Sequence, residues 1–419
     1  MNFLLICHQY PPDIDASSNI IRHLAETFRK KGHTVDVITQ GDYFGEEQYN
    51  GVHIYKVKKS KWEIINQTWS NKNSGYRAAL KIISYLRKIM CALKIKEYPN
   101  VEPYVTKKMI KIYQCKCIDK TYDCIIGFFR PFFCLDVAMN ISKYCCTKFV
   151  PIYFDLIEDK DCPKLMPRHL FKKKILIGDK KIFENAQKIF LPVSAKDIEY
   201  NIFKNNHEKI VYYNFPTFIK KERNFLSNVE QKKKDMITFT YAGTLKLAFR
   251  NPLKLLDVLN ELAKKNKETK IVLHLYGAGD CEKLIENFEC ENNFVIIQHG
   301  IVSKIKADEG LLNTDFLINI TNEYNAIVPS KIFELFALGK PIVNIVNKDD
   351  GSLTFFEKYQ LNYNICYNND VEKKKCVDNL WTFIQKTRGK ILDYNTLYST
   401  YFECTPEYMC QQIIKALEE

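Results

Sequence analysis

The chain has 419 residues, which is too many for one ordinary hydrophobic core and enough for two domains of about 200 residues each. Apolar residues make up 46% and charged residues 26%, a composition that is typical of a folded chain and argues against long disorder. No run of 18 apolar residues occurs, which argues against a membrane-spanning helix.

The net charge of +13 is unevenly distributed along the chain. Residues 1–214 hold 35 Lys and Arg against 22 Asp and Glu, whereas residues 215–419 hold 27 of each. The excess predicts a negatively charged partner for the first half. Nucleic acid is not favoured as this partner, because the basic residues lie among aliphatic side chains and no nucleic-acid-binding motif occurs.

The 15 cysteines are scattered, with no Cys-x-x-Cys pair, and neither Cys115/Cys117 nor Cys145/Cys146 has the spacing of a zinc site. The apolar run at residues 3–7 predicts a buried strand rather than a signal peptide, because no basic region precedes it and no small-residue cleavage site follows. We therefore expect reduced, mostly buried thiols in a cytoplasmic protein.

The first half of the chain begins with a βαβ pattern. An amphipathic helix is predicted at residues 19–31, with Ile20, Leu24 and Phe28 on one face and Gly32 ending it. Strands are predicted at residues 3–7, 34–39, 52–57, 124–127, 149–154, 189–193 and 210–213. This pattern predicts a doubly wound α/β domain over residues 1–214.

Residues 220–234 are polar and charged without periodicity and predict a linker over residues 214–236, and a second α/β series follows over residues 237–403. Its strands are predicted at residues 237–243, 271–277, 294–299, 316–320 and 342–346, and its helices at 253–265, 281–288 and 330–338. A last helix is predicted at residues 404–417, and we expect the C-terminal segment 404–419 to pack back on the first domain. Two such domains predict a ligand cleft at the carboxyl ends of both sheets.

The most informative segment is PSKIFELFALGKPIV, residues 329–343. Pro329 and the N-cap residue Ser330 predict a helix start, whose unpaired N–H groups favour an anion such as phosphate, and Lys331 adds a positive charge there. Glu334 lies one turn further on the same face and can accept hydrogen bonds from vicinal hydroxyls such as those of a ribose. This pair predicts a nucleotide site, and the alternative is a surface ion pair worth about 0.3 kcal/mol.

This segment resembles the donor-nucleotide motif of bacterial family 4 glycosyltransferases of the GT-B fold, in the subgroup that makes capsule, O-antigen and other surface polysaccharides. HQYPPDIDASSNIIRHLAETFRKKGHTVDVIT resembles the family's opening, YAGTLKLAFRNPLKLL the start of its second domain, and LYGAG its short Gly-x-Gly turn. The resemblance covers most of the chain and implies two Rossmann-like domains facing a cleft. It also implies retaining transfer of a sugar from a nucleotide-sugar, with UDP as the expected nucleotide, to a surface glycan or a polyprenyl-diphosphate-linked acceptor.

The resemblance assigns roles to individual residues. Arg250 stands where the family has a basic residue on the diphosphate, and the alternative is a solvated loop arginine. Asp155 matches an aspartate of the family's Asp-x-Trp-Pro-like segment, here without Trp-Pro, and is a candidate for catalysis or acceptor binding. The expected catalytic residues are Asp155, Lys331 and Arg250; the expected donor-binding residues are Gly243, Arg250, Gly277, Gly279, Ser330, Lys331 and Glu334; the expected acceptor loop contains His8, Asp15 and Ser17.

One position departs from the family pattern. Many members place two glutamates eight residues apart, and here the earlier position is Ala326, whereas Glu334 matches the ribose-binding glutamate. The placement and identity of the donor sugar therefore stay open. The GT-B enzymes that the chain resembles use no bound metal, so we expect no cofactor; Arg250, Lys331 and the helix dipole would stabilise the leaving diphosphate.

The segment RAALKIISYLRKIMCALKIK, residues 77–96, has six cations and no acid. On a helical wheel, one face is apolar and consists of Ile82, Leu86, Ile89, Met90 and Leu93. A polar face of one sign beside a bulky apolar face is typical of an interfacial membrane helix, and RHLFKKK, residues 168–174, adds a second basic cluster. We predict peripheral binding to the anionic inner face of the cell membrane through Arg77, Lys81, Leu86, Arg87, Lys88, Ile89 and Leu93. The alternative is a helix that packs on the sheet with a solvated basic back.

Two other functions stay open. A nucleotide-sugar 2-epimerase on the same fold would act without an acceptor, and the basic amphipathic helix argues against it. A catalytically inactive homologue would bind a nucleotide-sugar without turnover, and Ala326 is the only residue that supports it.

Overall fold

The structure is a computed structural model that describes residues 1–11, 16–70, 74–93, 98–163, 165–196, 203, 205–221, 235–322, 331–346 and 351–419. The chain forms two compact units, here called unit 1 (Met1–Pro216 with Pro406–Glu419) and unit 2 (Thr217–Thr405). Residues 217–221, which the sequence predicts to be linker, belong to unit 2, and residues 222–234 lie outside the described ranges.

Unit 1 is built on an eight-stranded sheet. Its strands are β1 (Asn2–Ile6), β2 (Thr34–Gly41), β3 (Gly45–Tyr49), β4 (Val52–Lys58), β5 (Cys124–Phe129), β6 (Lys148–Tyr153), β7 (Ile189–Pro192) and β8 (Ile210–Tyr213). Its described α-helices are α1 (Ala16–Lys30), α2 (Lys61–Ser70), α3 (Ser74–Leu93), α4 (Pro103–Ile112), α5 (Phe132–Tyr144), α6 (Arg168–Asn185) and α14 (Pro406–Glu418). The strand order is β3-β4-β2-β1-β5-β6-β7-β8, and all pairs are parallel except β3 with β4.

Unit 2 is built on a six-stranded parallel sheet. Its strands are β9 (Met236–Ala242), β10 (Lys270–Tyr276), β11 (Phe294–Gly300), β12 (Phe316–Ile320), β13 (Ile342–Ile345) and β14 (Asn362–Ile365). Its described α-helices are α7 (Leu253–Lys265), α8 (Glu282–Glu286), α9 (Lys304–Asn313), α10 (Lys331–Phe336), α11 (Leu353–Glu357), α12 (Asp370–Thr387) and α13 (Tyr394–Thr400). The order β11-β10-β9-β12-β13-β14 is the doubly wound Rossmann order, which reverses between β9 and β12.

Strand β1 illustrates why apolar runs of the sequence become strands of unit 1. Phe3, Leu4, Leu5 and Ile6 are all fully buried. Phe3 and Leu5 lie in the cluster that contains α1 and α14 side chains, whereas Leu4 and Ile6 lie in the cluster that contains α4 and α5 side chains. A parallel sheet that is covered on both faces needs apolar residues on both, so its strands are continuous apolar runs.

The last helix, α14, packs in unit 1. Its apolar side chains Met409, Cys410 and Ile413 are buried in the same cluster as Leu24 and Phe28 of α1. The helix begins at Pro406, two residues later than predicted, because residues 402–404 form a separate 3-10 turn.

Aromatic packing anchors the start of unit 2. Phe218 is 1% exposed, stacks on Tyr401 with ring centroids 5.9 Å apart, and contacts Tyr394 and Tyr398. Its backbone N–H donates to the Cys404 carbonyl at 3.0 Å. The segments by which the chain enters and leaves unit 2 are therefore neighbours.

Two general expectations can be compared with the described residues. Among them, no helix has the length and apolar character needed to cross a membrane. None of the cysteines that the structure describes forms a disulfide. Burial raises the pKa of thiols such as Cys124 and Cys134, which keeps them protonated.

Candidate functional site

The candidate site lies at the carboxyl edge of the unit 2 sheet, where the strand order reverses between β9 and β12. Gly243 and Arg250 follow β9, Gly277 and Gly279 follow β10, and α10, which carries Lys331 and Glu334, follows β12. Doubly wound sheets bind their ligands at this edge. The structure thus places together the predicted donor-binding residues that it describes.

The glycines of the Gly-x-Gly turn allow the loops after β9 and β10 to interlock. Gly277 has φ of +125°, and a Cβ on it would lie 2.2 Å from the Gly243 carbonyl oxygen. A Cβ on Gly279 would lie 1.9 Å from the Leu245 carbonyl oxygen. Gly243 N–H donates to the Tyr276 carbonyl at 2.8 Å, which ties the loops together. Close approach of the two backbones therefore requires glycine at both positions.

A short hairpin presents Arg250 at this edge. Lys246 pairs with Arg250, whose N–H donates to the Lys246 carbonyl at 2.8 Å. Leu247 N–H donates to Asp280 Oδ1 at 2.8 Å, and this bond is the main cause that holds the pKa of Asp280 below its ordinary value. Asp280 follows Gly279, so the glycine turn also orients the hairpin.

The Arg250 guanidinium is held on two sides. Its Nη2 donates to Asn322 Oδ1 at 2.8 Å, and its Nη1 donates to the Thr244 carbonyl at 3.4 Å. Its buried Nε has no hydrogen-bond partner among the residues that the structure describes. Burial raises the pKa of the neighbouring Tyr241 to about 12, although the Arg250 charge opposes this rise. Arg250 is therefore a fixed cation, not a solvated loop side chain.

Lys331, the first residue of α10, is close to several other cations. Its Nζ donates to the Ala242 carbonyl, at the end of β9, at 3.2 Å. Desolvation lowers the pKa of Lys331, and the charges of Lys304, Arg250 and Lys221 lower it further against the opposing effect of Glu334. The charged form of Lys331 is thus destabilised by burial and by neighbouring cations, and an anion bound beside it would stabilise that charge.

Glu334 makes ion pairs with two lysines that the sequence analysis missed. Its Oε2 lies 2.6 Å from Lys304 Nζ and 3.7 Å from Lys221 Nζ. Desolvation raises the pKa of Glu334, but Lys304, Lys221 and Lys331 outweigh it, so the net pKa lies below the ordinary value. Sequence spacing gives no signal for these pairs, because Lys304 is 30 residues from Glu334 and comes from another helix.

A cavity of about 220 Å³ opens beside the interlocked loops. Its lining includes Gly243, Tyr276, Gly277, Gln298 and Gly300. Backbone groups and an amide side chain at the carboxyl ends of β9, β10 and β11 offer hydrogen-bonding groups to a polar ligand. In the described part of the chain, no cluster of three or more His, Cys, Asp or Glu side chains is suited to a metal ion.

The predicted acceptor residues lie in unit 1. Asp155 follows β6 and pairs with Arg130 at 3.3 Å, and Arg130 also binds Asp161 through both terminal nitrogens, at 2.8 and 3.2 Å. His8 follows β1, and its Nε2 lies 3.0 Å from Glu63 Oε1. Arg130 and Glu63 are partners that the sequence analysis did not identify.

Some predicted positions lie outside the described residues. These are Asp15, Ser330 and Ala326. Ser17 is described in the first turn of α1. Helix α10 has six residues, Lys331–Phe336, and is shorter than the predicted helix 330–338, because residues 337–339 form a turn.

The predicted membrane-facing helix is present as α3, Ser74–Leu93. Lys81 and Leu86 are exposed, with Leu86 at 53%, and Ile89 is half-buried. Ile82, on the same apolar face, is 63% exposed. The side chains of Arg77, Arg87, Lys88 and Leu93 lie outside the described part of the structure.

Two Rossmann-like doubly wound units with these strand orders give the chain the GT-B fold. Solved structures of glycosyltransferases match it over its whole length. The UDP complex of Alr3699/HepE from Anabaena is 12% identical, with a TM-score of 0.58 and full coverage of both chains. A glycosyltransferase from Rickettsia africae is 14% identical, with a TM-score of 0.59 and coverage of 100% of this chain and 97% of that chain. TarM is 13% identical, with a TM-score of 0.56 and coverage of 100% and 98%.

No protein-family model and no curated protein sequence matches the chain. At identities of 12–14%, the structural matches show the fold. The activity must be argued from the site.

Proposed function

We propose that the chain is a glycosyltransferase that moves a sugar from a nucleotide-sugar donor to a surface-glycan or lipid-linked acceptor. The observation that carries this proposal is the convergence of Arg250 and Lys331 beside Glu334 at the carboxyl edge of a Rossmann sheet. Cations suit a diphosphate, and a carboxylate beside them suits the hydroxyls of a ribose. The GT-B fold supports the same function, since the matching structures above are of glycosyltransferases, one with UDP bound.

The proposed chemistry places its largest electrostatic demand on the leaving group. Departure of a nucleoside diphosphate builds negative charge on its phosphate oxygens, and fixed cations stabilise this charge without reorganisation. Arg250 is held by Asn322, and Lys331 is held by the Ala242 carbonyl. We infer from the family resemblance that the nucleotide is UDP, that the sugar keeps its anomeric configuration, and that no metal is required.

For Asp155 we propose a role in binding the acceptor or in catalysis. Its carboxylate is 46% exposed and is paired with Arg130 at 3.3 Å. A carboxylate that is held by a guanidinium and still partly exposed can accept hydrogen bonds from acceptor hydroxyls. His8 with Glu63, and Ser17 on α1, are further acceptor candidates.

Thermal unfolding with UDP, GDP, dTDP and CMP, each alone and as common sugar conjugates, tests the donor site. A ligand at 100 times its dissociation constant adds about 2.7 kcal/mol to the free energy of unfolding. We expect one nucleotide to raise the melting temperature of the wild type and of Lys306→Ala, but not of Lys331→Ala. Lys306 is the control because it is an exposed lysine on α9. If no nucleotide shifts the wild type, the proposed function is wrong.

Turnover separates the proposed transferase from its alternatives. A transferase consumes donor in proportion to acceptor, for example a polyprenyl-diphosphate-linked glycan. A nucleotide-sugar epimerase changes the donor without acceptor. An inactive homologue binds the donor but leaves it intact even when acceptor is supplied.

We also propose that unit 1 binds an anionic membrane surface, where a lipid-linked acceptor resides. Besides α3, helix α6 exposes Leu176 and Ile177 together with Lys172, Lys173 and Lys180. Each cation near an anionic leaflet contributes about 1 kcal/mol. Exposed aliphatic side chains between the lysines add apolar contact with the headgroup boundary.

Sedimentation with phosphatidylglycerol-containing vesicles, and with phosphatidylcholine vesicles, tests the membrane proposal. We expect the wild type to bind only the anionic vesicles, and binding to weaken at high salt because salt screens the charges. The double variant Leu176→Asp with Ile177→Asp should bind less. Val371→Asp is the control, since Val371 is 79% exposed on α12 of unit 2. Equal binding by both variants would contradict the role of α6.

A further inference from the structure

The carboxylate of Glu334 belongs to a closed ring of alternating charges. Lys304 Nζ lies 2.6 Å from Glu334 and 3.6 Å from Asp308, and Lys221 Nζ lies 2.6 Å from Asp308 and 3.7 Å from Glu334. The Lys221 side chain is 16% exposed, and those of Asp308 and Glu334 are 24% and 25% exposed. Partly buried charges are costly unless they are paired, and each member here has two partners of opposite sign.

The ring holds Glu334 by one oxygen. Both lysines contact Oε2. Among the described residues, no group donates a hydrogen bond to Oε1. An ionised carboxylate oxygen with its lone pairs unoccupied accepts hydrogen bonds strongly from hydroxyl groups.

Two separate chain segments fix the ring. Lys304 and Asp308 are four residues apart on α9, so they lie on one helix face. Lys221 comes from the segment that follows Phe218, whose ring is packed against Tyr401. The orientation of Glu334 is therefore set by α9 and by the anchored segment 217–221, as well as by α10.

We propose that Lys304 and Lys221 are positioning residues that hold Glu334 by Oε2, so that Oε1 faces the 2′-hydroxyl of a bound nucleoside diphosphate. This inference rests on the proposed function, because it assumes that a nucleotide occupies the site. It assigns the two lysines an effect on ribose recognition rather than direct contact with the diphosphate. Lys331 and Arg250 keep the latter role.

Binding of ribo- and 2′-deoxynucleotides tests this proposal. The dissociation constants of UDP and GDP, and of their 2′-deoxy counterparts, are measured by calorimetry for each variant. The readout is the ratio of the deoxy to the ribo dissociation constant, which is internal to each variant and is insensitive to partial loss of folded protein. One hydrogen bond to a charged group corresponds to a ratio of about 10 to 100.

In the wild type we expect a deoxy-to-ribo ratio of about 10 to 100. In Glu334→Gln we expect a ratio of about 1 to 3, because a neutral amide accepts a weaker hydrogen bond. Lys304→Met should lower the ratio at least about fivefold, and Lys221→Met should lower it less, since Lys221 is farther from Oε2. Lys304→Arg should retain most of the ratio. Lys306→Met, on the same helix but outside the ring, should leave it unchanged.

Two outcomes would overturn the proposal in different ways. In the first, Lys304→Met weakens binding of the ribo- and deoxynucleotide equally and leaves the ratio unchanged, while Glu334→Gln abolishes the preference. Lys304 then binds the diphosphate or has no role in ribose recognition, and the proposed function stands. If the wild type binds none of these four nucleotides and none of those in the thermal-unfolding test, the proposed function fails and the positioning role fails with it.

Discussion

Replacement of Gly279 by alanine tests the interlocked loops of unit 2. The added Cβ would lie 1.9 Å from the Leu245 carbonyl oxygen, whereas side-chain carbons essentially never approach closer than 3.0 Å. The two backbones must therefore separate by about 1.1 Å, because both contacting groups are main-chain atoms and neither can rotate away. Overpacking of this kind costs about 1–3 kcal/mol.

The displacement should also reach Arg250. Asp280, the next residue, accepts from Leu247 N–H at 2.8 Å, and Leu247 lies in the hairpin that ends at Arg250. A misplacement of about 1 Å lowers the efficiency of positioned groups by up to about 100-fold. We therefore expect Gly279→Ala to impair nucleotide binding as well as stability.

Calorimetric unfolding and nucleotide titration measure the two effects. For a unit of this size, a loss of 1–3 kcal/mol lowers the melting temperature by about 2–12 °C. Gly75→Ala is the matched control, since a Cβ at Gly75 in α3 meets no atom within 4 Å, and Ala is favoured over Gly in a helix by about 1 kcal/mol. If Gly279→Ala unfolds and binds like the wild type, close backbone approach is not the reason for glycine at this position.

Three further perturbations have defined outcomes. Phe218→Ala should lower the free energy of urea unfolding by about 3–5 kcal/mol, because it removes a buried ring stacked on Tyr401. The control Phe249→Ala changes a side chain that is 42% exposed, and it should change the free energy of unfolding by less than about 0.5 kcal/mol. The folded-state pKa of Glu334 lies below 4.5, so its contribution to stability is present above about pH 4.5 and is lost as the pH falls through the folded-state value. The free energy of unfolding of Glu334→Gln should therefore fall less steeply with decreasing pH than that of the wild type. An unchanged slope would contradict the ion pairs. Arg250→Met should weaken nucleoside diphosphate binding at least about tenfold in calorimetry. Arg250→Lys should restore it only in part, because lysine lacks the guanidinium fork; unchanged binding by Arg250→Met would exclude this residue from the site.

The fold could be predicted from the sequence because most of its strands are buried on both faces and are therefore apolar runs. The predicted strands 210–213 and 316–320 and the predicted helix 253–265 have the same bounds as the observed elements. Strand β3, GEEQY, was missed because it is a polar edge strand with no apolar run. Strand β14, NYNI, was missed because asparagine is uncommon in strands; in the structure, buried Asn344 of β13 donates to Asn362 and Asn364.

The sequence predicts only those parts of the candidate site that depend on local spacing. Lys331 and Glu334 are three residues apart, so a helix necessarily brings them to one face. Lys304 and Lys221 reach Glu334 through the packing of α9 and of segment 217–221, which no local pattern encodes. The sequence shows the Gly-x-Gly turn as a motif. It does not show that the turn packs against the carbonyls of Gly243 and Leu245, because these belong to the loop that follows a different strand, β9.

The position of α14 has a consequence for the order in which the chain folds during synthesis. Unit 1 is complete only when Pro406–Glu418 is available to cover α1, yet all of Thr217–Thr405 is translated before that helix. At about 5–20 residues per second, synthesis of unit 2 takes about 10–40 s, during which the apolar side chains of α1 lack their final cover. The unit that comes second in the sequence is therefore the first whose residues are all available on the ribosome, and the first unit closes last.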